Sequence, residues 1–170
     1  LEIAYREKFN QPDAVGMYLF WRAEEQVVMD RNELLALYKR ALTEEFEYKG
    51  IQVQGIPIIS IEDGFAEDDW EGWRALTQEF GVTVDRESLS SEPTGKIFVI
   101  GDDLVTTKDE TVERAADTGA IDTLLVKANQ IGTLSETLAA VITALGKGLN
   151  LVVSHRSKSP YDDMEAHIAL

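Results

Sequence analysis

Residues 97–104 read IFVIGDDL, four apolar residues followed directly by a glycine and two adjacent aspartates. The same pattern occurs earlier in the chain, where residues 56–63 read IPIISIED. A short continuous apolar run is typical of a strand that is buried on both faces of a sheet. The carboxylates that end both runs are therefore either caps of the following helices or members of a site at the strand ends.

Apolar runs alternate with helical patterns along the chain. Residues 70–80 carry tryptophan, leucine and phenylalanine at helical spacing, and further helices are predicted over 31–46, about 109–118, and 133–148, where Gly146 and Gly148 are stop signals. A T-x-x-E capping pattern starts two of them, at Thr107 with Glu110 and at Thr133 with Glu136. This alternation predicts an α/β fold in which helices cover a parallel sheet through right-handed crossovers.

Two α/β architectures fit this pattern, an open doubly wound sheet and a (β/α) barrel. No G-x-G-x-x-G follows a strand, so a dinucleotide-binding fold lacks its main sequence support. The polar segment 85–95 is interpreted as an exposed loop.

Composition narrows the class of protein. The 170 residues are 44% hydrophobic and 28% charged, a balance typical of a soluble globular domain. A net charge of −15 disfavours a nucleic-acid partner and favours a cation. We expect no membrane span, because no apolar run approaches about 18 residues. The chain has no cysteine, which excludes thiol chemistry and is compatible with the cytoplasm.

Polar side chains follow each of four successive predicted strands. The carboxyl ends of parallel strands gather at one edge of a sheet, where α/β proteins place their chemistry. These residues are Glu62 and Asp63, Asp102 and Asp103, Lys127 with Asn129 and Gln130, and finally Ser154, His155, Arg156 and Ser157.

The acids and the lysine each have two interpretations. Glu62 and Asp102, on neighbouring strands, could share a hard divalent cation such as Mg²⁺, which takes oxygen ligands. The alternative is that such acids only cap helices. Lys127 directly follows a buried run, so it is either a base whose proton is easily lost or the partner of a rim acid in a buried salt bridge.

The segment after the last strand also has two interpretations. A lone histidine such as His155 is often a satisfied core residue. Arg156 and Ser157 beside it favour a second interpretation, because an arginine with a hydroxyl is suited to hold a phosphate or a carboxylate.

Four motifs closely resemble the enolase family of phosphopyruvate hydratases: SIEDGFAEDDWEGW, GDDLVTT, LLVKANQIGTLSETL and VVSHRS. The resemblance implies a partial TIM-like (β/α) barrel, that of the enolase C-terminal domain. It implies a lyase of glycolysis that reversibly dehydrates 2-phosphoglycerate to phosphoenolpyruvate with Mg²⁺, in the cytoplasm and as a homodimer in the full-length protein.

The resemblance also implies roles for individual residues. Lys127 is the general base that takes the α-proton of the substrate. The implied metal ligands are Glu62, Asp102 and Glu2. The implied substrate-binding residues are His155, Arg156, Ser157 and Gln130.

The chain departs from the family pattern at several places. Glu2 stands where the family has an aspartate, Arg6 stands where it has a serine, and KSPYDD replaces the family's GETED after SHRS. Residues 1–170 are expected to be part of a single barrel domain, without the N-terminal capping domain and the last strands. The chain is therefore interpreted as a fragment of a longer enolase or as a truncated or divergent relative.

Two other functions remain open on these observations. One is a non-catalytic, enolase-like interaction module that has lost turnover. The other is an acid-dehydrating or racemising member of the wider superfamily, although such a protein is not expected to keep both SHRS and NQIGT.

Overall fold

A computed structural model of the protein describes residues 29–48, 51–55, 58–82, 96–156 and 163–170. The chain divides into two compact units, Leu1–Ile56 and Pro57–Leu170. Three of the sequence predictions lie outside the described residues, namely those for Glu2, Ser157 and the loop 85–95.

In the described part of the first unit, residues 29–48 and 51–55, a helix is followed by a hairpin. Helix α1 (Arg31–Thr43) begins with a capping box, in which the Asp30 carboxylate accepts the Glu33 N–H at 2.9 Å and the Glu33 carboxylate accepts the Asp30 N–H at 3.0 Å. Strands β1 (Glu45–Tyr48) and β2 (Ile51–Gln54) then pair antiparallel. The predicted helix over 31–46 was therefore wrong at its end, because the alternating EFEY segment pairs as a strand.

The described residues of the second unit form a sheet of four parallel strands in the order β3-β4-β5-β6. Register pairs Glu62 with Ile100, and Val126 with Val153, so successive strands end side by side at one edge. The parallel sheet predicted from the apolar runs is confirmed. The strands are β3 (Ser60–Glu62), β4 (Phe98–Gly101), β5 (Thr123–Val126) and β6 (Asn150–Val153).

Helices follow the strands in the predicted alternation. They are α2 (Trp70–Phe80), α3 (Asp109–Thr118), α4 (Ala128–Ile131), α5 (Leu134–Gly146) and α6 (Met164–Ala169). Thr133 caps α5 as predicted, since its hydroxyl accepts the Glu136 N–H at 3.2 Å. The capping box predicted at the start of α3 is wrong. Lys108 is the N-cap there, it makes no side-chain cap hydrogen bond, and Thr107 is buried.

The core lies between this sheet and its helices. Strand β5 is buried along its whole length, and α2 contributes the fully buried side chains of Trp73 and Leu76.

At the amino edge of the sheet, the buried Asp122 carboxylate accepts three hydrogen bonds. The donors are Val82 N–H at 2.8 Å, Val99 N–H at 3.0 Å and the Thr123 hydroxyl at 2.7 Å. Asp122 thus joins the starts of β4 and β5 to the chain that leaves α2.

Among the described residues, none of the helices has the length and apolar character needed to cross a lipid bilayer.

Candidate active site at the carboxyl edge of the sheet

Strands β4 and β5 bring an aspartate and a lysine together. The Lys127 ammonium donates to the Asp102 carboxylate, and both side chains are largely buried, with 14% and 9% of their surface exposed. The second Asp102 oxygen accepts a hydrogen bond from the Gln130 side-chain amide at 3.2 Å. The salt bridge that the sequence left open for Lys127 therefore exists, and its partner is the acid that was predicted to bind metal.

Gly101, the last residue of β4, leaves no space for a side chain where the chain enters this site. A Cβ atom at Gly101 would lie 2.9 Å from Ile121 Cγ2, closer than real Cβ atoms approach a neighbour. The loop that follows is fixed by the Asp102 carbonyl, which accepts the N–H groups of Val105 at 3.1 Å and Thr106 at 2.7 Å. The glycine in GDD is thus explained by packing against the segment before β5.

Glu62, at the end of β3, is exposed and electrostatically coupled to the same site. Partial burial raises the pKa of its carboxyl, as do the nearby charges of Asp102, Asp63 and Asp103, whereas Lys127 acts in the opposite direction. These charges act between Glu62, Asp102 and Lys127, while the binding of one ion by Glu62 and Asp102 stays a prediction.

Asp63 has a different role from its neighbour Glu62. One of its carboxylate oxygens accepts the Asp102 N–H at 3.1 Å and the other accepts the Asp103 N–H at 3.2 Å. Burial raises the pKa of Asp63, and these two hydrogen bonds partly offset the effect. Its φ of 45° lies in the left-handed region, which aspartate tolerates better than most residues. Asp63 therefore holds the loop after β4 against the end of β3.

The donor set at this edge fits a hard divalent cation. Carboxylate oxygens of Asp63, Asp102 and Asp103 lie within 4.8 Å of one another, and Glu62 is coupled to all three. The charges of these three aspartates and of Lys127 all act on Glu62, and Lys127 contacts Asp102 directly. The donors are all oxygen atoms and the local charge is strongly negative, which matches what Mg²⁺ requires.

His155 and Arg156 follow β6, the strand beside β5. The Ser154 N–H donates to the Val126 carbonyl at 3.0 Å, so the chain enters this segment beside the residue that precedes Lys127. Both side chains are exposed. The structure places them at the predicted edge, while their contact with a substrate stays a prediction.

Sequence reasoning missed the role of Thr107. Its hydroxyl accepts the Lys127 N–H at 3.0 Å and lies 3.2 Å from Gln130 Oε1. The sequence offered only a T-x-x-E pattern there, which favours a helix cap. Lys127 and Gln130 lie in the segment that follows the next strand, so local sequence around Thr107 could not identify them as its partners.

Polar groups gathered at the carboxyl edge of a parallel sheet are typical of the sites of α/β proteins, (β/α) barrels among them. The family model described as "Enolase, C-terminal TIM barrel domain" matches residues 20–170. The chain therefore belongs to the enolase family, and its fold is that of part of the C-terminal (β/α) barrel, as the motifs predicted.

Proposed function

We propose that this chain carries part of an enolase active site, in which Lys127 is the general base for the Mg²⁺-dependent reversible dehydration of 2-phosphoglycerate to phosphoenolpyruvate. The observation that carries the proposal is the contact of Lys127 with Asp102 at the carboxyl edge, within the electrostatic reach of Glu62. Family membership supports the reaction, since the matched model is that of an enolase barrel.

The reaction needs a base and, next to it, a group that stabilises negative charge on the substrate carboxylate. Lys127, as a neutral amine, takes the proton from the carbon next to the substrate carboxylate, and the electron pair moves onto that carboxylate. Asp102 accepts a hydrogen bond from Lys127 Nζ, so its carboxylate would stabilise the positive charge that Lys127 gains with the proton. Hydroxide then leaves from the neighbouring carbon as the carbon–carbon double bond forms, which completes the dehydration.

Glu62 and Asp102 would hold Mg²⁺. A role for Glu2 as a further ligand stays a prediction from the motifs, because Glu2 lies outside residues 20–170, which the family model matches. Bound Mg²⁺ supplies positive charge that stabilises the doubly negative carboxylate formed when the proton leaves. His155, Arg156 and Ser157 are proposed to bind the substrate and its phosphate, because guanidinium and hydroxyl groups suit a phosphate. Gln130 contributes by orienting Asp102 through the bond between them.

The wider setting is proposed on family grounds. Residues 1–170 would form part of one (β/α) barrel domain, in a cytoplasmic, homodimeric glycolytic enzyme.

The test is Lys127→Ala in the intact purified protein, with phosphoenolpyruvate formation followed by its ultraviolet absorbance in the presence of Mg²⁺. We expect kcat to fall by about 10²–10⁴-fold, the usual contribution of a positioned base. Lys147→Ala is the matched control. Lys147 also pairs with acids, Asp117 at 2.8 Å and Glu113 at 3.1 Å, but it is the C-cap of α5 and does not follow a strand at the carboxyl edge of the sheet.

Two results would contradict the proposal. Turnover that survives in Lys127→Ala at the level of the Lys147→Ala control would remove Lys127 as the base. A folded wild-type protein without turnover would favour the non-catalytic interaction module instead.

A further inference from the structure

Two consecutive threonines in the loop after β4 adopt a backbone conformation that threonine rarely takes. Thr106 and Thr107 have φ values of 50° and 55°, in the left-handed region. A β-branched residue there is an outlier, because its side chain crowds the backbone. Thr107 is also completely buried. Such a conformation persists only where surrounding contacts compensate for its cost. For Thr107, these contacts are with the segment that contains Lys127.

The Thr107 hydroxyl is surrounded by the turn that follows β5. It accepts the Lys127 N–H at 3.0 Å, and it lies 3.3 Å from the Leu125 carbonyl and 3.2 Å from Gln130 Oε1. A hydroxyl has one proton, so it donates to one of these two oxygens at a time. One atom therefore ties the loop after β4 to both sides of the turn that carries Lys127.

These contacts close a ring of hydrogen bonds around the candidate base. Gln130 donates from its amide nitrogen to Asp102 at 3.2 Å, and Asp102 accepts the Lys127 ammonium with its other oxygen. Thr107 completes the ring, because it contacts the Gln130 amide oxygen and the Lys127 backbone. The orientation of Asp102 and the position of Lys127 thus depend on one buried hydroxyl.

We propose that Thr107 is a positioning residue for the Asp102–Lys127 pair, and this inference rests on the proposed function of Lys127 as a base. The hydroxyl fixes the backbone of Lys127 directly and orients Asp102 through Gln130. Loss of the hydroxyl should lower kcat more than it raises KM, because the substrate-binding segment after β6 is left in place while the base is displaced.

The experiment compares three variants of the intact protein. Thr107→Val keeps the branched shape and removes the hydroxyl, whereas Thr107→Ser keeps the hydroxyl and removes the methyl group. Thr77→Val is the matched control, because Thr77 also donates to a backbone carbonyl, that of Ala120 at 2.6 Å, but joins α2 to the segment before β5.

Two measurements are made on each variant. Amide hydrogen exchange, followed residue by residue by NMR, is expected to be roughly tenfold faster at Lys127 in Thr107→Val, since the amide loses its acceptor. Steady-state kinetics are expected to show kcat reduced about 10- to 100-fold in Thr107→Val with KM changed by less than about threefold. Thr107→Ser should restore most of both values, and Thr77→Val should leave both at the wild-type level.

The results separate this inference from the proposed function. An unchanged Lys127 amide in Thr107→Val overturns the inference whatever the activity. Equal losses of kcat in Thr107→Val and Thr107→Ser also overturn it, because they indicate a packing role, as does faster exchange with unchanged kcat. A wild-type protein without turnover defeats the proposed function, and the exchange at Lys127 then decides alone whether Thr107 positions that residue.

Discussion

At the scale of single residues, the paired acids at the strand ends divide their work. In the first pair, Asp63 uses both oxygens on backbone N–H groups, while Glu62 stays exposed. In the second pair, Asp102 turns to Lys127 and Gln130, while Asp103 is exposed and donates its N–H to Asp63. The two acids of each pair therefore have different roles. Asp63 and Asp102 make hydrogen bonds that hold the loop and the ion pair, whereas the side chains of Glu62 and Asp103 are exposed.

Glu62→Gln tests the metal site at this scale. The change removes one negative charge from a four-carboxylate group and keeps the size of the side chain. We expect the Mg²⁺ concentration for half-maximal activity and the calorimetric dissociation constant to rise by at least about tenfold, since even indirect partners of a metal contribute that much.

Glu67→Gln is the matched control for this change, because Glu67 is an exposed glutamate on the same segment. Equal Mg²⁺ dependence in Glu62→Gln and the control would exclude Glu62 as a ligand. The three aspartates whose oxygens lie within 4.8 Å would then remain as the candidate metal group.

The residues that sequence could locate are those that end apolar runs. Glu62 ends β3, which is not buried, whereas Asp102 and Lys127 directly follow the largely buried β4 and β5, and parallel pairing brings all three to one edge. Thr107 could not be located in this way, because its role depends on a positive φ and on partners about twenty residues further along the chain. The same residue type in the same local pattern does cap a helix at Thr133.

At the scale of elements, periodicity predicted the second unit better than the first. The sequence predicted helix α3 over about residues 109–118, where the structure has it, but placed its cap at Thr107 rather than at Lys108. It extended the first helix too far, since residues 44–46 follow a good helical stretch. Pairing of Glu45 with Gln54 across the hairpin decides the outcome there, and such pairing is a tertiary effect that local propensity does not contain.

Gly101→Ala tests how tightly β4 ends against the segment before β5. The new Cβ would lie 2.9 Å from Ile121 Cγ2 and 3.4 Å from its Cδ1, and Ile121 is buried. We expect the free energy of unfolding to fall by about 1–3 kcal/mol, as for other overpacked cores, measured by urea unfolding followed by circular dichroism.

Gly146→Ala is the matched control for this prediction. Gly146 ends helix α5, and a Cβ atom there would meet nothing within 4 Å. Alanine should leave stability unchanged or raise it by about 0.4–1 kcal/mol, because it restricts the unfolded chain. If both variants unfolded at the same urea concentration, the close approach at Gly101 would have no energetic role.

At the scale of the whole molecule, acidic side chains lie at both edges of the parallel sheet. Asp122 is buried at the amino edge with three hydrogen-bond donors, whereas Glu62 and Asp63 lie at the carboxyl edge. Burial is the main cause that raises the pKa of all three carboxyls, and hydrogen bonds to Asp63 and Asp122 only partly offset it. The net charge of −15 adds a general repulsion between acids to these local effects.

The sign of the resulting pH dependence follows from proton binding. Unfolded aspartate and glutamate titrate near pKa values of about 3.9 and 4.3, so raised pKa values mean that the folded protein binds more protons above that range. The contribution of Glu62, Asp63 and Asp122 to stability is then fully present below about pH 4 and is lost as the pH rises through their raised values. We therefore expect the free energy of unfolding to increase as the pH is lowered from neutral towards that range.

Urea unfolding at a series of pH values measures this increase. Asp122→Asn should show a smaller increase than wild type, because it lacks one of the three groups. A stability that falls steadily on acidification over the same interval would contradict this prediction.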